Sequence, residues 1–298
     1  MSRRSFRRIA ASPGLCLLAL LALVSCGDTG EPGEGRAPVF VGDDVDRDLD
    51  LDGWRLVWND EFDGPAGTGM DTTKWVADIG IGPNGDGWGN QQLEYNTDRP
   101  ENASVDGDGV LEIRALREGF SGRNYTSARW TTIGRFSQQY GRVEARIQLP
   151  EGQGLWPAFW MLGTDISSVG WPQCGEIDIM EFRGNEVNRA LGTIHGPGYS
   201  GGNSVGGETI VREGLVDDFH TFTIDWDPNL IVWYLDGVEY FRATPDTVPF
   251  NREWVFDQPF FLIINLAVGG NFLENPDDST PFPAVMRVDY VRVYERAE

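Results

Sequence analysis

The chain has 298 residues, 40% of them hydrophobic and 12% aromatic, with 38 glycines, 17 prolines and a net charge of −22 at neutral pH. That length and apolar content suffice for one large all-β domain or two ordinary ones, and no shift in composition divides the body. So acidic a surface excludes nucleic acid and other polyanions and favours an uncharged partner.

Residues 1–26 read as an export signal. They contain no Asp or Glu, carry Arg3, Arg4, Arg7 and Arg8, and run through an apolar stretch from Leu15 to Val24. Leu23-Val24-Ser25-Cys26 matches a bacterial lipobox, in which cleavage leaves a lipidated Cys26 at the new N-terminus, and Ser2-Arg3-Arg4-Ser5-Phe6 resembles a twin-arginine signal. The apolar run is too short to span a bilayer. Membrane contact is therefore expected only through the lipid on Cys26, in an exported lipoprotein of the cell envelope or cell surface. Removing the signal leaves 20 basic against 46 acidic side chains, a net charge of −26.

Residues 27–52 are rich in Gly, Asp, Glu and Pro, the composition of a disordered tether. The Asp-rich piece Asp43-Asp44-Val45-Asp46-Arg47-Asp48 lacks the glycine spacing and terminal Glu of a calcium-binding EF-hand loop. Of the three cysteines, Cys16 falls in the signal and Cys26 at the lipid site, so Cys174 has no intrachain partner and is expected to be a small buried residue.

From Trp54 the pattern is one of short strands, and residues 53–298 are expected to form one domain. Leu56-Val57-Trp58, Val110 to Ala115, Gly141 to Ile147, Thr221 to Trp226 and Met286 to Tyr294 all have strand character. Leu230 to Leu235, Asp236-Gly237 and Val238 to Phe241 spell a β-hairpin with a type I′ turn. Helical periodicity is nowhere sustained. Many short strands with abundant turn residues predict a sandwich of two antiparallel sheets.

Within this pattern, Gly175-Glu176-Ile177-Asp178-Ile179-Met180-Glu181-Phe182 carries the strongest chemical signal. In a strand, Glu176 and Asp178 share one face and Ile177 and Ile179 the other. Glu181 breaks the parity and would point an ionised carboxylate among the isoleucines, a costly burial. A one-residue β-bulge at Ile179 or Met180 restores it to the acidic face. Acidic alternation alone is more often a solvated outer face. The parity break and the neighbouring aromatics, Trp156, Trp160 and Trp171, favour chemistry instead.

Two carboxylates flanking a scissile bond are the usual equipment for cleaving glycosides: Glu176 placed to attack, Glu181 to protonate the leaving oxygen, Asp178 to hold their protonation states apart. Indole faces stack on sugar rings, although core packing is the commoner role of any one Trp. Asn90, Arg129, His195 and Asn265 are candidates for holding hydroxyls. With His220 the only other histidine, a zinc site at His195 is disfavoured.

The acidic run resembles the bulged Glu-x-Asp-x-x-Glu signature of glycoside hydrolase family 16. The similarity extends through Trp88-Gly89-Asn90, Tyr125 to Arg129, Leu155 to Trp160, Thr193 to Gly196, Phe256 to Phe261 and Asn265 to Asn271, covering about Trp54 to Tyr294. Within the family it is nearest to laminarinase-like endo-β-1,3-glucanases. The resemblance implies a β-jelly-roll of two curved antiparallel sheets with a concave substrate cleft, and retaining double displacement with Glu176 as nucleophile, Glu181 as acid/base and Asp178 as their partner. It puts Asn90, Arg129, Trp156, Trp160, Trp171 and His195 in the sugar subsites and makes a β-glucan the partner of a monomeric enzyme. Catalysis would need no cofactor. A structural Ca²⁺ is implied on the convex side, at Glu61, a main-chain carbonyl of Gly109, and Asp289. Gln92 and Glu94 stand where relatives often have Glu and Gln, and Phe272 where a Trp is common, which bears on the outer subsites. The alternatives are a mixed-linkage β-1,3-1,4-glucanase, another family 16 polysaccharide hydrolase, or a non-catalytic glucan-binding protein.

Overall fold

The computed structural model describes residues 51–297; the export signal, the lipobox at Cys26 and nearly all of the tether lie outside the described residues. Two sheets face each other. The larger runs in the order Val238–Ala243, Leu230–Leu235, His220–Asp227, Gly141–Gln148, Ala284–Arg296, Leu111–Phe120, Arg123–Ser127 and Glu94–Asn96. Trp54–Asp60 adds to Ala284–Arg296, and Ala103–Val105 to Leu111–Phe120. The smaller sheet runs Val205–Ile210, Arg189–His195, Glu176–Phe182, Leu155–Gly163, Phe260–Val268, Arg129–Thr131 and Val76–Ala77. All pairings are antiparallel except Glu94–Asn96 against Arg123–Ser127.

The period-two pattern explains the packing. Val143, Ala145 and Ile147 from one strand of the larger sheet, and Leu111, Ile113 and Ala115 from another, are fully buried between polar neighbours. From the smaller sheet Ile177, Phe159 and Ile264 enter the same apolar cluster. Each of these Val, Leu, Ile and Phe side chains contributes roughly 1.5–3 kcal/mol by leaving water. The predicted hairpin forms, with Asp236 at φ 49° and Gly237 at φ 76°, the paired positive angles a type I′ turn requires. Among the described residues the one α-helix, Ile166–Val169, has four residues. This is the expected β-jelly-roll of two largely antiparallel sheets. The acidic strand lies inside the smaller sheet, flanked on both sides by other strands, rather than on an outer edge.

Candidate active site

The bulge lies where the parity argument puts it. Against Leu155–Gly163 the register runs Asp178 to Trp160, then skips to Met180 opposite Phe159; against Arg189–His195 it shifts between Asp178 and Glu181. Ile177, Ile179, Met180 and Phe182 all pack into the core, so two consecutive residues, Ile179 and Met180, face the same way. The extra residue returns Glu181 to the side of Glu176 and Asp178.

The three carboxyl groups receive different company. Glu176 Oε2 accepts a hydrogen bond from Trp171 Nε1 at 3.0 Å, and Glu181 Oε1 accepts one from Trp156 Nε1 at 3.2 Å. His195 Nε2 lies 3.1 Å from Asp178 Oδ2 and 3.5 Å from Glu176 Oε1. Because Asp178 Oδ2 has no aligned hydrogen bond, the shorter of these is an electrostatic approach. The imidazole tautomer follows from the main chain. Gly201 N donates to His195 Nδ1 at 3.0 Å, which leaves the ring hydrogen on Nε2, facing the carboxylates.

Burial pushes the carboxyls of Glu176, Asp178 and Glu181 up to about 8 each. The charge of Asp178 adds to the rise at both glutamates, while His195 opposes it. These groups titrate together, and the cluster keeps protons at neutral pH that isolated carboxylates would lose. Glu176, Asp178 and His195 have ligand-type atoms within 4.8 Å of one another. With the Nδ1 position occupied and Nε2 carrying hydrogen, however, they are set up to share protons rather than to ligate a metal.

Around the cluster the aromatic residues divide by task. Trp160 donates Nε1–H to Asn265 Oδ1 at 2.8 Å, in the strand next to its own. The Arg129 guanidinium lies 4.5 Å from the ring centre of Trp88 and 4.8 Å from that of Trp160, and its Nε donates to Asp78 Oδ2 at 2.8 Å. Trp171 is 47% exposed and free to offer a ring face to a ligand. Trp156 is buried by Phe272, whose ring centre is 4.8 Å away with the Arg183 guanidinium 4.1 Å from it. Asn90 is exposed on the turn Gly87–Gln91, and its carbonyl accepts the Asn271 N–H at 2.7 Å. It therefore stands at the Glu181 end, beside Phe272. Asp78, Trp88, Arg183 and Phe272 were not among the sequence candidates. Arg183 follows Glu181 by two residues, Trp88 sits in a quoted motif and Phe272 marks a departure from the family, but Asp78 had no signal because its partner is 51 positions away.

Cys174 is fully buried, and burial pushes its thiol up to about 12, so it is inert. The residues proposed for Ca²⁺ fit the ion only in part. Both carboxylate oxygens of Glu61 accept from Arg292, at 2.9 and 2.7 Å, and Asp289 accepts from Arg146 at 2.7 Å. What remains near Gly109 is the Glu61 main-chain oxygen and the Asp63 carboxylate, 3.7 and 3.8 Å from where a Gly109 Cβ would sit.

The sequence pattern of glycosyl hydrolases family 16 matches residues 88–291. The chain belongs to that family. It is 46% identical to a β-glucanase of Rhodothermus marinus over 82% of this chain and 86% of the relative. The laminarinase catalytic domain of Thermotoga maritima superposes with a TM-score of 0.78 at 47% identity, covering 82% of this chain and 99% of that one. The endo-β-1,3-glucanase of Pyrococcus furiosus gives a TM-score of 0.78 at 46% identity, covering 84% and 98%.

Proposed function

We propose that the protein is a retaining endo-β-1,3-glucanase acting on laminarin-type β-glucans. The observation that carries the reading is the bulged acidic strand, which sets Glu176, Asp178 and Glu181 on one face of a sheet lined by Trp156, Trp160 and Trp171. Glu176 is the nucleophile. The indole N–H of Trp171 and the nearby Nε2–H of His195 stabilise its anion, so the cluster's negative charge settles there during attack on the anomeric carbon. Glu181 is the acid/base: burial and the charge of Asp178 keep it protonated, ready to donate to the leaving oxygen and then to accept a proton from water. Asp178, the most buried of the three, separates their protonation states. Arg129, Asn265, Trp160, Asn90 and Trp156 hold the sugar units on either side.

The relatives' names support β-1,3-glucan over a mixed-linkage substrate. A panel of laminarin, lichenan, agarose and carrageenan, with product anomers followed by NMR, tests the assignment. Laminarin should be cut fastest, with the β-anomer released first; initial α-anomer would exclude retention. Glu176→Gln should abolish reducing-end release while leaving oligosaccharide binding, which separates an enzyme from a glucan-binding protein.

We also propose that the enzyme is an exported lipoprotein anchored at Cys26, supported by the basic start, the apolar run and the lipobox. Palmitate labelling of the full chain should be lost in Cys26→Ala; retained label would refute the anchor.

A further inference from the structure

Glu94 is a carboxyl group that the proposed reaction does not use. It is 1% exposed, lies where the strand Glu94–Asn96 begins, and makes no ion pair among the described residues. Its Oε2 accepts the Val268 N–H at 2.8 Å, and its Oε1 has no partner. Burial pushes the group up to about 7. Leaving a carboxyl group so poorly matched costs stability unless its one hydrogen bond is worth keeping.

The strand Phe260–Val268 explains the bond. Its neighbour Arg129–Thr131 pairs only as far as Asn265, so the last amides on that side have no ladder partner. Leu266 N still reaches the Ala128 carbonyl at 3.4 Å; Val268 N reaches Glu94. The Glu94 carboxyl thus substitutes for a strand carbonyl, and Leu93 N returns a bond to Val268 O at 2.8 Å.

The chain then turns tightly into the cleft wall. Gly269 and Gly270 have φ of 65° and 110°, and a Cβ at Gly269 would sit 2.7 Å from the Leu93 side chain. The Asn271 N–H is held by Asn90, and Phe272 lies against Trp156, whose indole donates to Glu181. Glu94 therefore fixes one end of a turn whose other end packs on an aromatic residue of the site.

We propose that Glu94 is a positioning residue for the Glu181 end of the cleft, holding the Gly269–Phe272 turn through the Val268 amide and thereby setting affinity for sugar units bound at that end. The inference rests on the endo-glucanase reading. Its test compares Glu94→Leu, which removes the acceptor, with Glu94→Gln, which keeps an oxygen for Val268. On laminarin oligosaccharides long enough to fill both ends, Glu94→Leu should raise KM about tenfold with kcat changed less than about threefold, and Glu94→Gln should restore KM to within about twofold. In a Phe272→Ala background the Glu94→Leu effect should disappear, since the two act through one turn. Unchanged KM, a fall confined to kcat, failure of Glu94→Gln to rescue, or additivity with Phe272→Ala overturns the proposal. If Glu94→Leu does not fold, Glu94→Asp, one methylene short of Val268, carries the same prediction. Wild-type protein that cleaves no laminarin would refute the functional reading instead; a wild-type enzyme with indifferent Glu94 variants refutes only this one.

Discussion

Two sets of carboxylates, one in each sheet, meet opposite fates. In and beside the larger sheet Asp225, Glu61 and Asp289 are neutralised by arginines: Asp225 accepts from Arg142 at 2.7 and 2.9 Å, Glu61 holds Arg292 in a two-pronged pair, and Asp289 takes Arg146. Donating these hydrogen bonds to Glu61 holds the Arg292 guanidinium above its ordinary range. In the smaller sheet Glu176, Asp178 and Glu181 are also largely buried, yet the side-chain donors to the two glutamates are indoles, with one imidazole nearby. Neutral donors leave the protons in play. A guanidinium bonded directly to Glu181 would keep it ionised and useless as an acid, and the nearby Arg183 is paired with Glu186 instead, so the contrast separates carboxylates that hold a fold from carboxylates that do chemistry.

Removing the nucleophile should have the largest effect on the reactive side of this contrast. Glu176→Gln is expected to lower kcat roughly 10⁴-fold or more, because no other group on the strand is placed to form the covalent intermediate. Its thermal midpoint should be unchanged or raised, since a buried like-charge contact is gone. A kcat within tenfold of wild type would reassign the nucleophile. Deleting Met180 comes next. It removes the extra residue of the bulge and turns Glu181 toward the core, so activity on laminarin should fall at least about 100-fold. Full activity in that variant would show that the bulge does not position the acid.

Asp178→Asn tests the proton sharing itself. The charge of Asp178 raises both glutamates, so its loss should move both limbs of the pH–rate profile to lower pH, by several tenths of a unit to about one unit. Stability follows the same linkage. Folded carboxyls near 8, against ordinary values of 4.5 and 3.8, contribute stability that is full below about pH 4 and lost as pH rises through about 8. The wild-type thermal midpoint should therefore decline between pH 5 and 8 more steeply than that of Asp178→Asn. Equal slopes would mean that the cluster is ionised throughout.

How much of this was legible in the sequence depended on distance along the chain. The bulge was readable because parity is a local property: one misplaced acid among isoleucines within eight residues demanded it. The hairpin at Asp236-Gly237 was readable for the same reason. The partners of the site residues were not. Asp78 reaches Arg129 across 51 positions, and Glu94 reaches Val268 across 174, contacts that no local pattern encodes. The Ca²⁺ assignment illustrates the limit from the other side. Sequence resemblance picked out Glu61 and Asp289 as oxygen donors, but could not see that Arg292 and Arg146 fold onto those carboxylates.

The smallest effect is expected where the contrast assigns structure alone. The Arg292 and Glu61 side chains are 18% and 14% exposed and meet through two bonds, a geometry that lysine cannot reproduce. Arg292→Lys should thus cost about 0.5–1.5 kcal/mol of stability, read as a small drop in denaturant midpoint at constant slope, and leave kcat and the pH profile untouched. The pair sits against the strand Ala284–Arg296, in the sheet opposite the acidic strand, so a change in pH optimum in this variant would show that the two sheets are electrostatically coupled through the core. Buried apolar residues lie between them, from Val143 and Val293 on one side to Ile177 and Met180 on the other, and these carry no charge to relay such an effect. The expected null result is therefore informative: it would show that the raised carboxyls of the cleft owe their state to their own sheet.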